Sequence, residues 1–186
     1  KIKGNIRSTI KAVNQNKKGG LYVGVNAFHH GHLAYLSKSE AIASVDINRL
    51  VPYGFAFIVG LVGGAKTPED FKEQVSVLVA DPSKIRDIFS GTDLEETILV
   101  SSDSDIASKA RKQLLTGLLS TMNEFNPSNT QEDQVIPPVF CNDVHAYNYF
   151  RSLVLSNKVV GFRSPIEGKG FVKLLADSIS STDIKR

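Results

Sequence analysis

The hydrophobic pattern of this 186-residue chain changes period several times. Residues 55–59 are an unbroken apolar run, the pattern of a strand buried on both faces. Gly60, Gly63 and Gly64 then permit a sharp exit. Thr67, Pro68, Glu69 and Asp70 read as a helix start: Thr67 caps, Pro68 fits the first helical position and two acids face the positive helix end. Beyond it Phe71, Val75, Leu78 and Val79 fit a helical face, while Val75, Val77 and Val79 alternate as in a strand. The β-branched residues favour one helical turn followed by a strand over 75–80. Asp81 and Pro82 open a helix carrying Ile85, Ile88 and Phe89, stopped by Gly91. Residues 97–100 form a strand. The stretch 102–105 then starts the longest helix, 103–125, with Ile106, Ala110, Leu114, Leu118 and Met122 on one face and Leu115 and Leu119 widening it.

The remaining elements follow the same reasoning. Ile2, Ile6, Ile10 and Val13 make a helical stripe over residues 1–18, closed by Gly19 and Gly20. Residues 21–28 read as a strand, with 33–36 as its hairpin partner across His29, His30, Gly31 and His32. Ser37 and Glu40 form a capping box that opens a short helix to about Val45. Residues 126–134 are a loop and the best site for proteolysis. Pro137 and Pro138 restrict 135–140 to an edge strand or extended loop. A helix over 144–155, a strand over 159–162 and a last helix over 171–179 complete the chain. Strands alternating with helices predict an α/β fold: a single domain over 1–186, with helices packed on a mixed sheet of about five to six strands.

Composition adds bounds. At 41% hydrophobic and 22% charged residues the chain is an ordinary globular one. No apolar run reaches the roughly 18 residues needed to span a bilayer, and no secretory signal is visible. Cys141 is the single cysteine, which excludes an internal disulfide and suits a reducing compartment, cytoplasm or virion. Lys1 at one end and Lys185 and Arg186 at the other fit a processed chain, a piece of something longer.

Charge changes the picture more. Lys1, Lys3, Arg7, Lys11, Lys17, Lys18 and Lys38 are the seven basic residues of 1–39, a segment with no acid. The rest carries 15 basic and 19 acidic residues, a net of −4. Residues 87–105 hold acids only, among them Asp93, Glu95, Glu96, Asp103 and Asp105. Such asymmetry points to a polyanionic or acidic partner for the basic end, or to a solvated basic helix. Phosphate contact and head-to-tail pairing of the two patches between subunits are the specific forms.

Candidate chemistry is incomplete wherever it occurs. Residues 60–67 resemble a P-loop, but Ala65 replaces the glycine beside Lys66, and Glu69 and Asp70 oppose phosphate. His29, His30 and His32 can be offered as metal ligands, but a site needs three or four ligands, and an exposed hairpin tip explains them better. Asp103 and Asp105 with Glu95 and Glu96 can hold Mg²⁺, yet the two aspartates also suit the helix start. Glu167 and Lys169 match half of a nuclease motif. Cys141 and His145 can approach one helical turn apart, the geometry a thiolate nucleophile needs, though a buried small cysteine is the commoner use. No cofactor or metal is implied.

One order of elements resembles a known family. An apolar strand and glycine, a V-x-V-x-V strand at Val75, Val77 and Val79, and a short helix ending near Phe89 and Gly91 are similar to the opening segment of contractile phage tail sheath subunits. A helix and an extended segment follow to residue 140. The resemblance implies a self-assembling particle subunit. The expected function is therefore non-enzymatic assembly with copies of itself or other particle proteins, without membrane. Nucleic-acid binding through the basic segment is the alternative, and a nucleotide-dependent enzyme or nuclease the third.

Overall fold

A computed structural model describes residues 19–25, 29–46, 50–84, 87, 90, 112, 115–120, 122, 139–163 and 173. Three strands, β1 (Leu21–Gly24), β2 (Ala41–Asp46) and β3 (Val159–Arg163), make a parallel sheet in the order β1-β2-β3. Leu21 stands opposite Ala41, and Ile42 opposite Val159. Parallel neighbours cannot be joined by a tight hairpin, so each connection must cross back over the sheet. Helix α1 (His30–Ser37) makes the first crossover. The second holds α2 (Leu50–Gly64), α3 (Pro68–Ala80), helical residues at 115–120, a 3₁₀ turn at Phe140–Asn142 and α4 (Val144–Leu155). Helix α1 lies against β1 and β2, α2 lies against β2 and β3, and α4 packs on both helices.

The α/β class holds. The sheet differs from expectation: among the described residues it has three strands, fewer than five to six, and it is parallel rather than mixed. Much of the difference lies in α2. Residues 55–59 are helical, not a strand. An apolar run of that length has no periodicity to separate the two forms, and a helix apolar on all sides is stable when buried all round. Phe55, Ile58, Leu61 and Val62 are fully buried in this way. Residues 75–80 are helical too, the continuation of α3. Phe71, Val75 and Leu78 face the core, and Ser76 and Val77 face solvent, so the helical face won over the alternation of valines. The two strands that the sheath-like order needs at 55–59 and 75–79 are therefore helices.

Two further elements exchange roles. Residues 33–36 belong to α1, not to a hairpin strand, and 41–45 belong to β2, not to a helix. The Ser37 hydroxyl donates back to the Leu33 carbonyl at 2.8 Å instead of capping a new helix. Lys38 then turns left-handed at φ 54° and ends α1. Residues 41–45 of β2 are buried on both faces, as a central parallel strand requires.

Other expectations hold. Helix α4 spans Val144–Leu155 and β3 begins at Val159. Leu115, Leu118 and Met122 of the long-helix stripe are helical and buried. Thr67 and Asp70 cap α3 reciprocally: the Asp70 amide donates to Thr67 Oγ1 and the Thr67 amide to Asp70 Oδ2, both at 3.1 Å. The expected arm at 1–18, strand at 97–100, loop at 126–134, and the segment 135–138 lie outside the described residues. Among the described residues no helix is long and apolar enough to cross a membrane.

The core is threaded by a row of aromatic rings. His30 meets Phe55 edge-on at 5.0 Å, Phe55 stacks on Phe150 at 6.3 Å, Phe150 meets Phe140 at 4.9 Å and Phe140 meets Phe71 at 5.3 Å. Gly31 lets α1 approach this row: a Cβ there would stand 2.6 Å from the Phe150 ring.

Candidate functional site

The carboxyl ends of the strands gather the polar residues of interest. β1 ends at Gly24, and the chain enters α1 through His29, His30 and His32. β2 ends at Asp46, which is half-buried and opposite Arg163 in register; Asp46 already has an interaction partner. Helix α4 runs down to the start of β3, so its first turn, capped by Asp143, lies toward the same end of the sheet. The Asp143 carboxylate accepts from the His145 amide at 2.8 Å and the Ala146 amide at 3.1 Å. Val25 and Val144, at the starts of these connections, are both more than half exposed.

The histidines are not the exposed hairpin tip expected for them. His30 is 1% exposed and His32 4%. His30 Nε2 shares a 3.0 Å hydrogen bond with Ser44 Oγ on β2, and Tyr22 meets its ring edge-on at 5.5 Å. Gly24 makes room for it: a Cβ on Gly24 would stand 2.7 Å from His30 Cε1. Burial pushes the His30 pKa down to about 3, with the nearby His29 adding to the effect. Burial also lowers the pKa of His29 and of His32, although the Asp143 carboxylate pulls that of His32 back up. All three are neutral imidazoles at neutral pH. Nδ1 of His29 and of His32 are buried without a hydrogen-bond partner. Among the described residues no group of three His, Cys, Asp or Glu side chains is placed to hold a metal ion.

The other candidates are dispersed or used structurally. The P-loop-like stretch is the end of α2 and the short link to α3, so a helix stands where a phosphate loop needs a strand. The Ala65 carbonyl accepts from Tyr147 Oη at 3.1 Å and Arg151 Nε at 2.7 Å. Lys66 is exposed, and its amide donates to Asp70 Oδ2 at 3.2 Å. Cys141 is buried, and burial pushes its thiol up to about 12, while His145 is exposed on α4. This is not an activated nucleophile. Lys38 lays its ammonium 3.8 Å from the centre of the Tyr35 ring, a cation–π contact within the chain. Lys1, Lys3, Arg7, Lys11, Lys17 and Lys18 lie outside the described residues, as do Asp93, Glu95, Glu96, Asp103, Asp105, Glu167 and Lys169.

Asp46 is the residue that sequence reasoning passed over. Its signal was available: an apolar segment ending in an acid, 22 residues (46 minus 24) after the glycine that ends the preceding strand. Reading 33–36 as a hairpin strand concealed it, because a hairpin puts no crossover helix between the two segments.

A parallel sheet crossed by helices, with an acid closing its central strand and imidazoles opening the first crossover, defines a parallel α/β protein with its polar groups at the carboxyl edge. The chain belongs to a family described as a domain of unknown function, DUF7790, whose model matches residues 5–185. No curated protein matches the chain significantly.

Proposed function

We propose that the chain is a ligand-binding α/β domain that takes a nucleoside-type small molecule across the carboxyl ends of its parallel strands. The observation that carries this reading is the position of Asp46, last residue of β2 in a parallel β1–α1–β2 unit. In open parallel sheets ligands bind outside the carboxyl ends of the strands. An acid about 20 residues beyond the glycine of the first turn accepts hydrogen bonds from the ribose hydroxyls. A carboxylate offers about four lone-pair sites, so Asp46 can keep its present partner and still accept from a diol. Half-exposed Val25, which follows the last residue of β1, supplies apolar surface at the carboxyl edge, the usual lining for a base.

Calorimetric titration with adenosine, S-adenosylmethionine, ATP and NAD⁺ tests this. At least one adenosine compound binds, and Asp46→Asn weakens it about tenfold or more, roughly 1.4 kcal/mol, with an unchanged circular dichroism spectrum. Absence of binding at millimolar ligand, or affinity indifferent to Asp46→Asn, overturns the reading.

A second reading, assembly as a subunit of a larger particle, is supported by the charge distribution in the sequence: a basic segment at 1–39 without an acid and an acid-only stretch at 87–105. Complementary patches on one chain pair head-to-tail and build rings or open arrays. Light scattering at low salt then gives concentration-dependent oligomers that removal of residues 1–18 abolishes; a strict monomer removes this reading. Nucleic-acid binding through Lys11, Lys17 and Lys18 instead predicts affinity that falls steeply with salt and is lost when all three become Glu.

A further inference from the structure

We propose that the rings of Tyr35 and Tyr149 form a binding corner for a trimethylammonium group on an alkyl stem, and that Lys38 fills this corner in the free protein. The corner lies at the amino edge of the sheet, because Lys38, Ser39 and Glu40 lead directly into Ala41, the first residue of β2. It is separate from the carboxyl-edge site, and neither reading rests on the other.

The fold holds both rings in place. Tyr35 lies on α1 and Tyr149 on α4, and the two rings meet edge-on with centres 5.8 Å apart and planes inclined at 64°. His32 meets the Tyr35 ring at 6.1 Å, again edge-on. Tyr149 Oη donates to the Ser39 carbonyl at 2.9 Å, which fixes that ring against the link between α1 and β2. Both tyrosines are only partly buried, so each ring keeps access to solvent. Rings already held in position lose little freedom when a ligand arrives.

Lys38 shows which kind of ligand the corner takes. Its Nζ stands 3.8 Å from the centre of the Tyr35 ring and 5.5 Å from that of Tyr149, both within the roughly 6 Å reach of a cation–π contact. The ammonium rests there with no ion pair to Glu40, two residues away. Lys38 also carries a left-handed backbone, φ 54°, at a position that favours glycine or asparagine. The side chain is exposed, and its flexible four-carbon stem is free to swing off the rings. A primary ammonium is compact and strongly hydrated. Methylation spreads its charge, weakens its hydration and adds apolar surface that lies on the rings, which is why aromatic sites select quaternary ammonium groups. Such a group displaces Lys38 where a second primary ammonium does not. Burial, and after it the Glu40 carboxylate, raise the Tyr149 pKa, so the hydroxyl stays neutral and an acid stands near enough to add attraction for a cation.

The test titrates the full chain with choline and with its uncharged tert-butyl counterpart, following the ring resonances of Tyr35 and Tyr149 by NMR. Choline shifts both rings and saturates, and the uncharged compound binds at least about fivefold more weakly. Lys38→Met, which removes the internal cation, tightens choline by about two- to fivefold, the worth of one exposed cation–π contact. Tyr35→Leu, folded by circular dichroism, abolishes the binding; if that variant does not fold, the charged and uncharged pair on wild type decides. A trimethyllysine peptide that binds more tightly than choline assigns the group to a protein partner, and choline binding as tightly assigns it to a small molecule. Equal affinity for the charged and uncharged compounds, or no shift of either ring, overturns the cation site. Choline affinity unchanged in Lys38→Met overturns Lys38 as its internal occupant.

Discussion

His30 Nε2 and Ser44 Oγ stand 3.0 Å apart and tie the first turn of α1 to the middle strand of the sheet. The bond satisfies two buried polar groups at once, which matters because either alone would cost roughly 1–3 kcal/mol to leave unpaired. A protonated imidazole could still donate to Ser44, but it would place a charge in a dry site, so the stability of this arrangement depends on pH.

Stability should fall with acid below pH 6.5. The folded-state pKa of His30 is lowered to about 3, and those of His29 and His32 are lowered as well. The unfolded chain therefore takes up protons first. The stability from these neutral imidazoles is fully present above the unfolded value near 6.5 and is lost as pH falls toward the folded values. For His30, each pH unit between about 6 and about 3 removes up to roughly 1.4 kcal/mol, and His29 and His32 act in the same direction. Urea unfolding at pH 7, 6, 5 and 4, with His30→Gln as the comparison, measures it. A slope that His30→Gln leaves unchanged would assign the acid sensitivity elsewhere.

Gly31→Ala should destabilise the protein by about 1–3 kcal/mol, the usual range for overpacking. Alanine favours an isolated helix by about 1 kcal/mol over glycine, so the expected sign is opposite to helix propensity. The reason is the 2.6 Å approach of a Cβ at this position to the Phe150 ring. A thermal melt decides between the two effects; a more stable Gly31→Ala variant would mean that α1 does not sit against α4.

Ala65 is held by two donors, and their loss should not be additive. Tyr147→Phe leaves the Ala65 carbonyl paired with Arg151, and Arg151→Met leaves it paired with Tyr147. Each single change should cost about 0.5–1.5 kcal/mol, and the double variant more than their sum, because only then does the acceptor lose both partners. A double-mutant cycle in denaturant gives the coupling; strict additivity would contradict a shared acceptor.

Cys141 should be inert in the folded protein. Its thiol is buried and its pKa is pushed up to about 12 by burial, so thiolate at neutral pH is scarce and inaccessible. A thiol reagent such as DTNB should react at the rate of unfolding and at once in urea. Rapid labelling of the native chain would show that the 3₁₀ turn at Phe140–Asn142 opens easily.

Local signals in the sequence sufficed where a residue's own chemistry decides its conformation. Thr67 and Asp70 cap a helix because their oxygens reach amides three residues away, and α4 and β3 have clean periods bounded by Asp143 and the turn at Asn157. The α/β class followed from alternation of such segments. Tertiary packing decided the rest. An apolar run such as 55–59 can be strand or helix, and became helix because α2 packs against both the sheet and α4, which bury Phe55, Phe57, Ile58, Leu61 and Val62. His29, His30 and His32 looked like a solvent-facing tip, because nothing local says that Gly24 and Gly31 clear space for a buried imidazole and a close helix contact. Asp46 became a candidate only when 41–46 was placed between two parallel partners, since a carboxylate's meaning at a sheet edge comes from strand direction. The sequence alone determined the capped ends at Thr67, Asp143 and Asn157; the bounds and type of the apolar segments, the direction of each strand, and therefore which residues share the carboxyl edge, were decided by long-range pairing and burial.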